Sequence, residues 1–340
     1  MKPLITALVD TYNHERYIEQ ALLSVLEQGL SAEELEIVVV DDGSTDNTPS
    51  IIQKFEPRVK HVRKKNGGQA SALNAGFAES RGEIVALLDG DDWWAPGKLT
   101  KVAEALEKNP EVAAVGHGYY GFHENTNEVR VRVPPARRVV NMETPGAAEI
   151  AWPFLFMGAL TVRRGLLDWM MPIPEELVFM ADAAIQVAAM VKGALILDEP
   201  LFYYRVHAQN LYLINEQDAE KLRRRCDMTE LAFSRVSQML IRLGVPDDSV
   251  SELLSGSWAE AKRSRLSRFG GRRVEVFQAE MESFRAQFKN PSVGYRLFKY
   301  FVMGTATLLL PPRRFYRLRE WYAEKQLGRY RDWLFKAQRS

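Results

Sequence analysis

The chain has 340 residues, 46% of them hydrophobic and 26% charged, enough to bury a sizeable core as one large domain or two ordinary ones. Its single cysteine, Cys226, excludes an intramolecular disulfide and a cysteine-held zinc cluster, and permits a reducing compartment. The formal net charge of +1 hides a segregation: residues 1–215 hold 20 Lys and Arg against 29 Asp and Glu, and residues 216–340 hold 25 against 15.

Met1 leads directly into an apolar strand, Leu4 to Val9, with no charged leader and cleavage site, so no secretory signal is expected. The strand meets a turn at Asp10 to His14, then a helix with apolar positions at Ile18, Leu22, Val25 and Leu26. A second unit of the same kind follows. Glu36 to Val40 reads as a buried strand ending in Asp41, Asp42, Gly43, Ser44, Thr45 and Asp46, before a helix from about Pro49 to Phe55. The third is the most informative: Asn66 to Trp94 sets a Gly-rich turn, a helix and the apolar run Ile84 to Leu88 ahead of Asp89, Asp91 and Asp92. Such a run suits a fully buried parallel strand, which delivers ligand-binding residues at its carboxyl end. Asp89 and Asp91, with Gly90 between, can turn carboxylates toward one hard cation, and that cation can bind diphosphate oxygens. The plainer reading is an Asp-rich turn, with Asp91 or Asp92 capping a helix at Pro96 to Leu106. Alternating strands and helices predict a parallel sheet covered on both faces, its ligand beyond the carboxyl ends.

Downstream, His117 to Trp152 reads as a long excursion carrying Arg130, Arg132, Arg137 and Arg138, a segment suited to acceptor specificity. Residues 216 to 290 are helical in pattern, with breaks at Gly244 to Asp248 and at Gly270 and Gly271. Leu297 to Leu310 is apolar but contains Lys299 and is too short to span a bilayer. After Pro311 and Pro312, Arg313, Arg314, Arg317 and Arg319 interleave with Phe315, Tyr316, Trp321 and Tyr322. That pattern suits a helix lying in the interface of an anionic membrane, or a packed helical hairpin whose arginines form its wet face.

Three segments together carry a family resemblance. Residues 9–13 (VDTYN), 38–48 (VVVDDGSTDNT) and 66–92 (NGGQASALNAG to GDD) resemble, in order and spacing, the signature of glycosyltransferase family 2, which has the GT-A fold. Gly158 to Arg164 (GALTVRR), Met180 to Asp182 (MAD) and Tyr203 to Asn210 (YYRVHAQN) are similar to later family features. The resemblance implies an α/β GT-A domain over residues 1–215, a mostly parallel central sheet flanked by helices, followed by a helical C-terminal region over residues 216–340. It implies an inverting transferase that uses a nucleotide sugar, UDP-linked by family habit, and a glycan or lipid-linked acceptor. The expected location is cytoplasmic, at the inner face of the plasma membrane, with no nucleic-acid partner.

Roles follow from the resemblance, position by position. Tyr12 stacks on the base, Asp42 accepts hydrogen bonds from its imide or the ribose, and Thr11 and Asn13 flank that pocket. The turn Asn66, Gly67, Gly68 and Gln69 approaches the nucleotide with backbone amides. Asp91 is the leading metal ligand, with Asp89 nearer the ribose or acting through water, and His207 is the third member. Arg205 offsets phosphate charge. Carboxylates with diphosphate oxygens suit Mg²⁺ or Mn²⁺, and one imidazole tilts the choice toward Mn²⁺. Asp182 is the general base, at the start of a helix Ala183 to Val191. Two positions depart from the family pattern: Ala181 replaces an acidic neighbour of the base, and Asp10 stands where Pro is usual. They support a rival reading, a nucleotide-sugar-binding scaffold without turnover. A dehydrogenase is excluded because no G-x-G-x-x-G follows the first strand. A processive polymer synthase lacks its set of spanning helices, and the string QLGRY at Gln326 to Tyr330 falls too far after Asp182 to serve it.

Overall fold

The computed structural model describes residues 5–144, 146–178, 180–208, 210, 219–287, 301, 304–307 and 309–319. The chain forms two compact units: Met1–Asp218 with Met228–Leu253, and Ala219–Asp227 with Leu254–Ser340.

The first unit opens with β1 (Ile5–Thr11), α1 (Ile18–Leu26), β2 (Leu35–Asp41), α2 (Thr48–Gln53), β3 (Lys60–Arg63), α3 (Gln69–Glu79) and β4 (Ile84–Asp89). It continues through β5 (Trp93–Trp94), α4 (Lys98–Lys108), β6 (Ala114–His123), β7 (Glu128–Arg132), β8 (Arg138–Val140) and α5 (Ala147–Ala151). Then come β9 (Thr161–Arg163), α6 (Arg164–Met170), α7 (Asp182–Lys192) and β10 (Ala194–Val206). These strands make one sheet in the order β3-β2-β1-β4-β9-β6-β10-β5, with β7 on β6 and β8 on β10. Pairing is parallel along β3-β2-β1-β4 and between β6 and β10, and antiparallel at β9, β5, β7 and β8.

Strands β1, β2 and β4 are apolar at nearly every position because helices cover both faces. Ile5, Ala7, Val9, Ile37, Val39, Ala86 and Leu88 enter one core layer with Ile18, Leu22 and Val25 of α1 and Leu99 and Val102 of α4. Parallel register sets Thr11 opposite Asp41 and Asp10 opposite Asp89, so three polar strand tips share one edge.

Several expected bounds shift. Helix α4 begins at Lys98, and its N-cap is Gly97 in a left-handed conformation (φ 74°) rather than Asp91 or Asp92. The acidic turn is therefore not spent on capping that helix. Helix α2 ends at Gln53, short of Phe55. The stretch 117–152 is not a free excursion, since it starts inside β6 with His117 fully buried and builds the β6–β7 hairpin, β8 and α5. A cavity of 730 Å³ lined by Ile5, Ile84, Arg163 and Asp168 lies at the opposite end of β1 and β4 from the polar tips.

Helices α8 (Ala219–Arg242), α9 (Asp247–Phe269) and α10 (Arg273–Gln287) follow, broken where Gly244 and Gly270 were expected to interrupt them. In the second unit Leu266, Val276, Ala279 and Met281 pack with Phe315 and Tyr316. Those two aromatics are core, while Arg313, Arg314 and Arg317 are exposed. Buried Arg263 and Glu280 pair at 2.9 Å, and Arg319 joins Glu280 at 3.4 Å. Trp321, Tyr322 and much of the Leu297 to Leu310 run lie outside the described residues. Among the described residues, no helix is long and apolar enough to cross a membrane.

Candidate active site

The turn after β4 is closed by two backbone hydrogen bonds, Gly90 N to Asp10 O and Asp92 N to Asp89 O, at 2.9 and 3.1 Å. It gathers Asp89, Asp91 and Asp92 so that one carboxylate oxygen of each lies within 4.8 Å of the others. From the end of β10, His207 Nε2 reaches Asp91 Oδ2 at 3.0 Å, with the histidine only 2% exposed. Asn210 shapes that presentation by accepting the His207 amide and donating to the Arg205 carbonyl. A second imidazole, not singled out from the sequence, stands nearby: His14 Nε2 is 3.9 Å from the same Asp91 oxygen.

Arg205 packs against the acidic turn. Its amide donates to Asp92 Oδ1 at 2.7 Å, its Nε to the Asp91 carbonyl at 2.8 Å, and its Nη2 to Gln20 Oε1 at 2.6 Å. The guanidinium lies over the rings of Tyr17 and Trp93, at 4.8 and 4.5 Å. Its Nε, one Nη2 hydrogen and its ring-stacked faces thus help to hold the acidic turn.

The electrostatics of this cluster are unbalanced. Burial, then the neighbouring carboxylates, holds Asp89 and Asp92 well above the usual carboxylate range, and burial together with Asp91 pushes Asp10 up to about 8. Burial also pushes Asp91 upward, but the His207 hydrogen bond and the two imidazoles outweigh it, and its net shift is downward. Negative charge therefore concentrates on Asp91. Asp92 Oδ2 and Asp10 Oδ1 are buried without a hydrogen-bond partner. Crowded carboxylates, orphaned buried oxygens and nearby imidazoles form a donor set that fits a divalent cation.

Around the expected nucleotide pocket, Tyr12 stands 43% exposed just past β1, its ring available for stacking. Asn13 (φ 56°) ties that turn to the next strand tip, its amide donating to Ser44 Oγ and its Oδ1 accepting the Thr45 amide. Thr11 is buried, its hydroxyl 3.2 Å from His14 Nδ1. Asp42 is filled by the chain itself: Lys64 Nζ at 2.7 Å, the Gly67 amide at 3.0 Å and the Gly68 amide at 2.7 Å all donate to it. The Gly67 and Gly68 amides, expected to approach the nucleotide, here fasten the Gly-rich turn to Asp42 just past β2. Asn66 remains exposed.

The same turn also holds the segment that leads to Asp182. Gly68 (φ 85°) passes so close to Val178 that a Cβ would lie 2.7 Å from its Cγ1, which excludes other residues. Beyond it the amides of Gln69 and Ala70 donate to the Val178 and Leu177 carbonyls, at 2.8 and 3.3 Å. Gln69 Oε1 accepts the Ala181 amide at 3.0 Å. One turn further along α3, Asn74 both accepts from the Ile173 amide and donates to its carbonyl, at 2.9 Å each. Residues 173–181 are thus clamped at both ends by one helix.

Asp182 is the first residue of α7, and its Oδ2 accepts Gln186 Nε2 at 3.0 Å. Burial pushes its carboxyl up to about 6, although amides of Ala183, Asp182 and Met157 favour the charged form. Its charge adds to the upward shift of both Asp10 and Asp89. Ala181 is fully buried. Beneath Met157, Lys98 is completely buried, donates to the Gly158 carbonyl at 3.1 Å and lies 3.9 Å from the Trp94 ring centre. Sequence reasoning passed over His14, Asn74 and Lys98. The only available signal was their position inside or beside the three motifs.

A parallel βα sheet with an acidic turn at one strand tip, an exposed aromatic at another and a partly buried acid at the start of α7 has the layout of a GT-A domain. Residues 6–167 match the model for "Glycosyl transferase family 2". The chain is 32% identical to an uncharacterized glycosyltransferase of Nostoc sp. over 71% of its own length and 76% of that protein's. It is 30% identical to the uncharacterized glycosyltransferase EpsJ of Bacillus subtilis, over 62% and 63%. Among solved structures, S. aureus TarS 1–349 in complex with UDP is similar with a TM-score of 0.52 and 20% identity, covering 84% of this chain and 89% of that one. The mannosyltransferase PcManGT of Pyrobaculum calidifontis, in complex with GDP-Man and Mn²⁺, is similar with a TM-score of 0.50 and 21% identity, covering 93% and 83%. The chain belongs to glycosyltransferase family 2 and is a glycosyltransferase.

Proposed function

We propose that this glycosyltransferase is metal-dependent and inverting, and moves a hexosyl or N-acetylhexosaminyl group from a nucleotide sugar to an acceptor hydroxyl in bacterial-type glycan or glycolipid assembly. The observation that carries this reading is the turn that gathers Asp89, Asp91 and Asp92, with His207 Nε2 3.0 Å from Asp91, at the tip of a parallel strand; at the start of α7, burial pushes the carboxyl of Asp182 up to about 6. A base with that affinity can accept a hydroxyl proton near neutral pH. Asp91 and His207 would hold a divalent cation, Mn²⁺ or Mg²⁺, with Asp89 beside it, and the cation would neutralise the departing diphosphate. Tyr12 presents its ring to the base. Asp182 takes the proton of the acceptor hydroxyl, whose oxygen attacks the anomeric carbon from the side opposite the nucleotide, inverting its configuration. Clamping of residues 173–181 by α3 keeps that carboxyl in one place relative to the Gly-rich turn.

UDP is the favoured carrier. TarS was solved with UDP and PcManGT with GDP-Man, so both carriers belong in the test. The exposed arginines of the second unit suit an anionic membrane surface at the inner face of the plasma membrane, where a lipid-linked acceptor would be met. The scaffold reading draws on buried Ala181 and on Asp10. The two separate cleanly. Purified protein is offered UDP-, GDP- and dTDP-sugars with Mn²⁺ or with EDTA, and released nucleoside diphosphate is measured. Metal-dependent release from one donor, absent in Asp91→Ala, is expected. Nucleotide binding without release from any donor, with acceptor extracts present, would favour the scaffold.

A further inference from the structure

We infer that His14 is a third protein ligand of the divalent cation, giving one carboxylate and two imidazoles, a set that favours Mn²⁺ over Mg²⁺. This deepens the metal-dependent reading above and rests on it. Nothing in the family motifs assigns position 14. The geometry does so through four features.

Asn13 adopts a left-handed conformation (φ 56°) that turns the chain so that the His14 carbonyl accepts the Tyr17 and Ile18 amides, both at 2.9 Å, at the start of α1. The ring is thereby brought over the acidic turn. Thr11 Oγ1 lies 3.2 Å from Nδ1, which leaves Nε2 as the nitrogen on the Asp91 side. Gly90 makes the fit possible: a Cβ there would lie 2.5 Å from Thr11 Oγ1 and 3.0 Å from His14 Nδ1. Finally, the ring of Tyr17 packs against both imidazoles, with centroids 6.4 Å from His14 and 4.7 Å from His207.

The decisive quantity is the distance of 3.9 Å from His14 Nε2 to Asp91 Oδ2. It is too long for a hydrogen bond, and among the described residues this nitrogen has no other partner. Two donors on one six-coordinate ion, with bonds of about 2.1 Å, stand from about 3.0 Å apart when adjacent to about 4.2 Å when opposite. His207, at 3.0 Å from the same oxygen, matches an adjacent position, and His14, at 3.9 Å, stands nearer the opposite one. The buried Asp92 Oδ2, without a hydrogen-bond partner, shows independently that the chain itself does not satisfy this turn. Mg²⁺ prefers oxygen donors, whereas imidazole suits later and softer divalent ions.

The test uses the full chain with UDP and Mn²⁺. Electron paramagnetic resonance of free Mn²⁺ gives the affinity, and pulsed measurements on bound Mn²⁺ count the imidazole nitrogens coupled to it. Two such nitrogens are expected in the unaltered protein. His14→Gln should remove one and weaken Mn²⁺ binding at least about tenfold, with His207→Gln removing the other. Mg²⁺ should compete poorly. A single nitrogen, lost only in His207→Gln, overturns the assignment of His14 while leaving the metal site intact. No Mn²⁺ held in the presence of UDP, with donor turnover indifferent to EDTA, overturns the metal-dependent reading along with it. The spectrum of the unaltered protein decides the matter even where a variant fails to fold.

Discussion

Asp182 combines a buried carboxyl with a task that requires it ionised. Its folded value of about 6 lies above the ordinary value of 3.8, so the acid is progressively protonated as pH falls through 6. The transfer rate should therefore rise with pH through about 6 and level off above it, measured as kcat/KM at saturating metal. A profile flat from pH 5 to 8 would remove Asp182 from the role of base. Asp182→Asn should lose at least about a hundredfold in transfer while retaining donor binding, since general-base contributions are of that order. Arg205 shows how much of a singled-out residue's surroundings the sequence leaves open. Its proximity to His207 was readable from YYRVHAQN, but the aromatic rings its guanidinium lies over are Tyr17 just before α1, Trp93 of β5 and Phe122 of β6.

Helix α3 couples the Gly-rich turn to the loop before α7. Asn74→Ala removes two hydrogen bonds to Ile173 and leaves both backbone groups to find other partners, which costs about 1–3 kcal/mol in unfolding free energy. Because the lost bonds hold the segment carrying the base, kcat should fall while donor affinity holds. An unchanged kcat with lowered stability would make the clamp merely structural. At the start of α4, Lys98 offers a second test. Burial lowers its affinity for a proton well below the usual range, so between its folded value and about 10.4 the unfolded chain binds the extra proton. Its contribution to stability accordingly rises with pH across that window and is lost as pH falls through it. The melting temperature of the unaltered protein should gain on that of Lys98→Met between pH 7 and 9. A constant difference would mean that the buried amine stays charged.

The two halves of the chain carry about −9 and +10 by residue count. In the second unit Arg313, Arg314 and Arg317 point to solvent, while Phe315 and Tyr316 are consumed by the core. Any membrane contact by this helix is thus electrostatic rather than an insertion of those two rings, and should fade with salt. Replacing all three arginines with alanine should reduce cosedimentation with phosphatidylserine-containing vesicles, by about 1 kcal/mol per residue at low ionic strength, without altering the melting temperature much. Equal binding by the variant would leave the charge split as a property of the solvated surface.

Local pattern was sufficient for the strands β1, β2 and β4, because apolar runs bounded by turn residues depend on neighbours in the chain. It was also sufficient for the polar tips at Thr11, Asp41 and Asp89, since a parallel strand must end somewhere and its motif marks where. The same pattern could not say which donor a carboxylate would meet. Asp42 is filled by Lys64 and two glycine amides, Gln69 by Ala181, and Asp91 by His207, partners set by strand register and helix packing across long stretches of chain. Acidic and amide groups of the same type looked interchangeable in one dimension. Burial, which raises Asp182 and Asp89 but is overcome at Asp91, distinguishes them only once the chain has closed around the site.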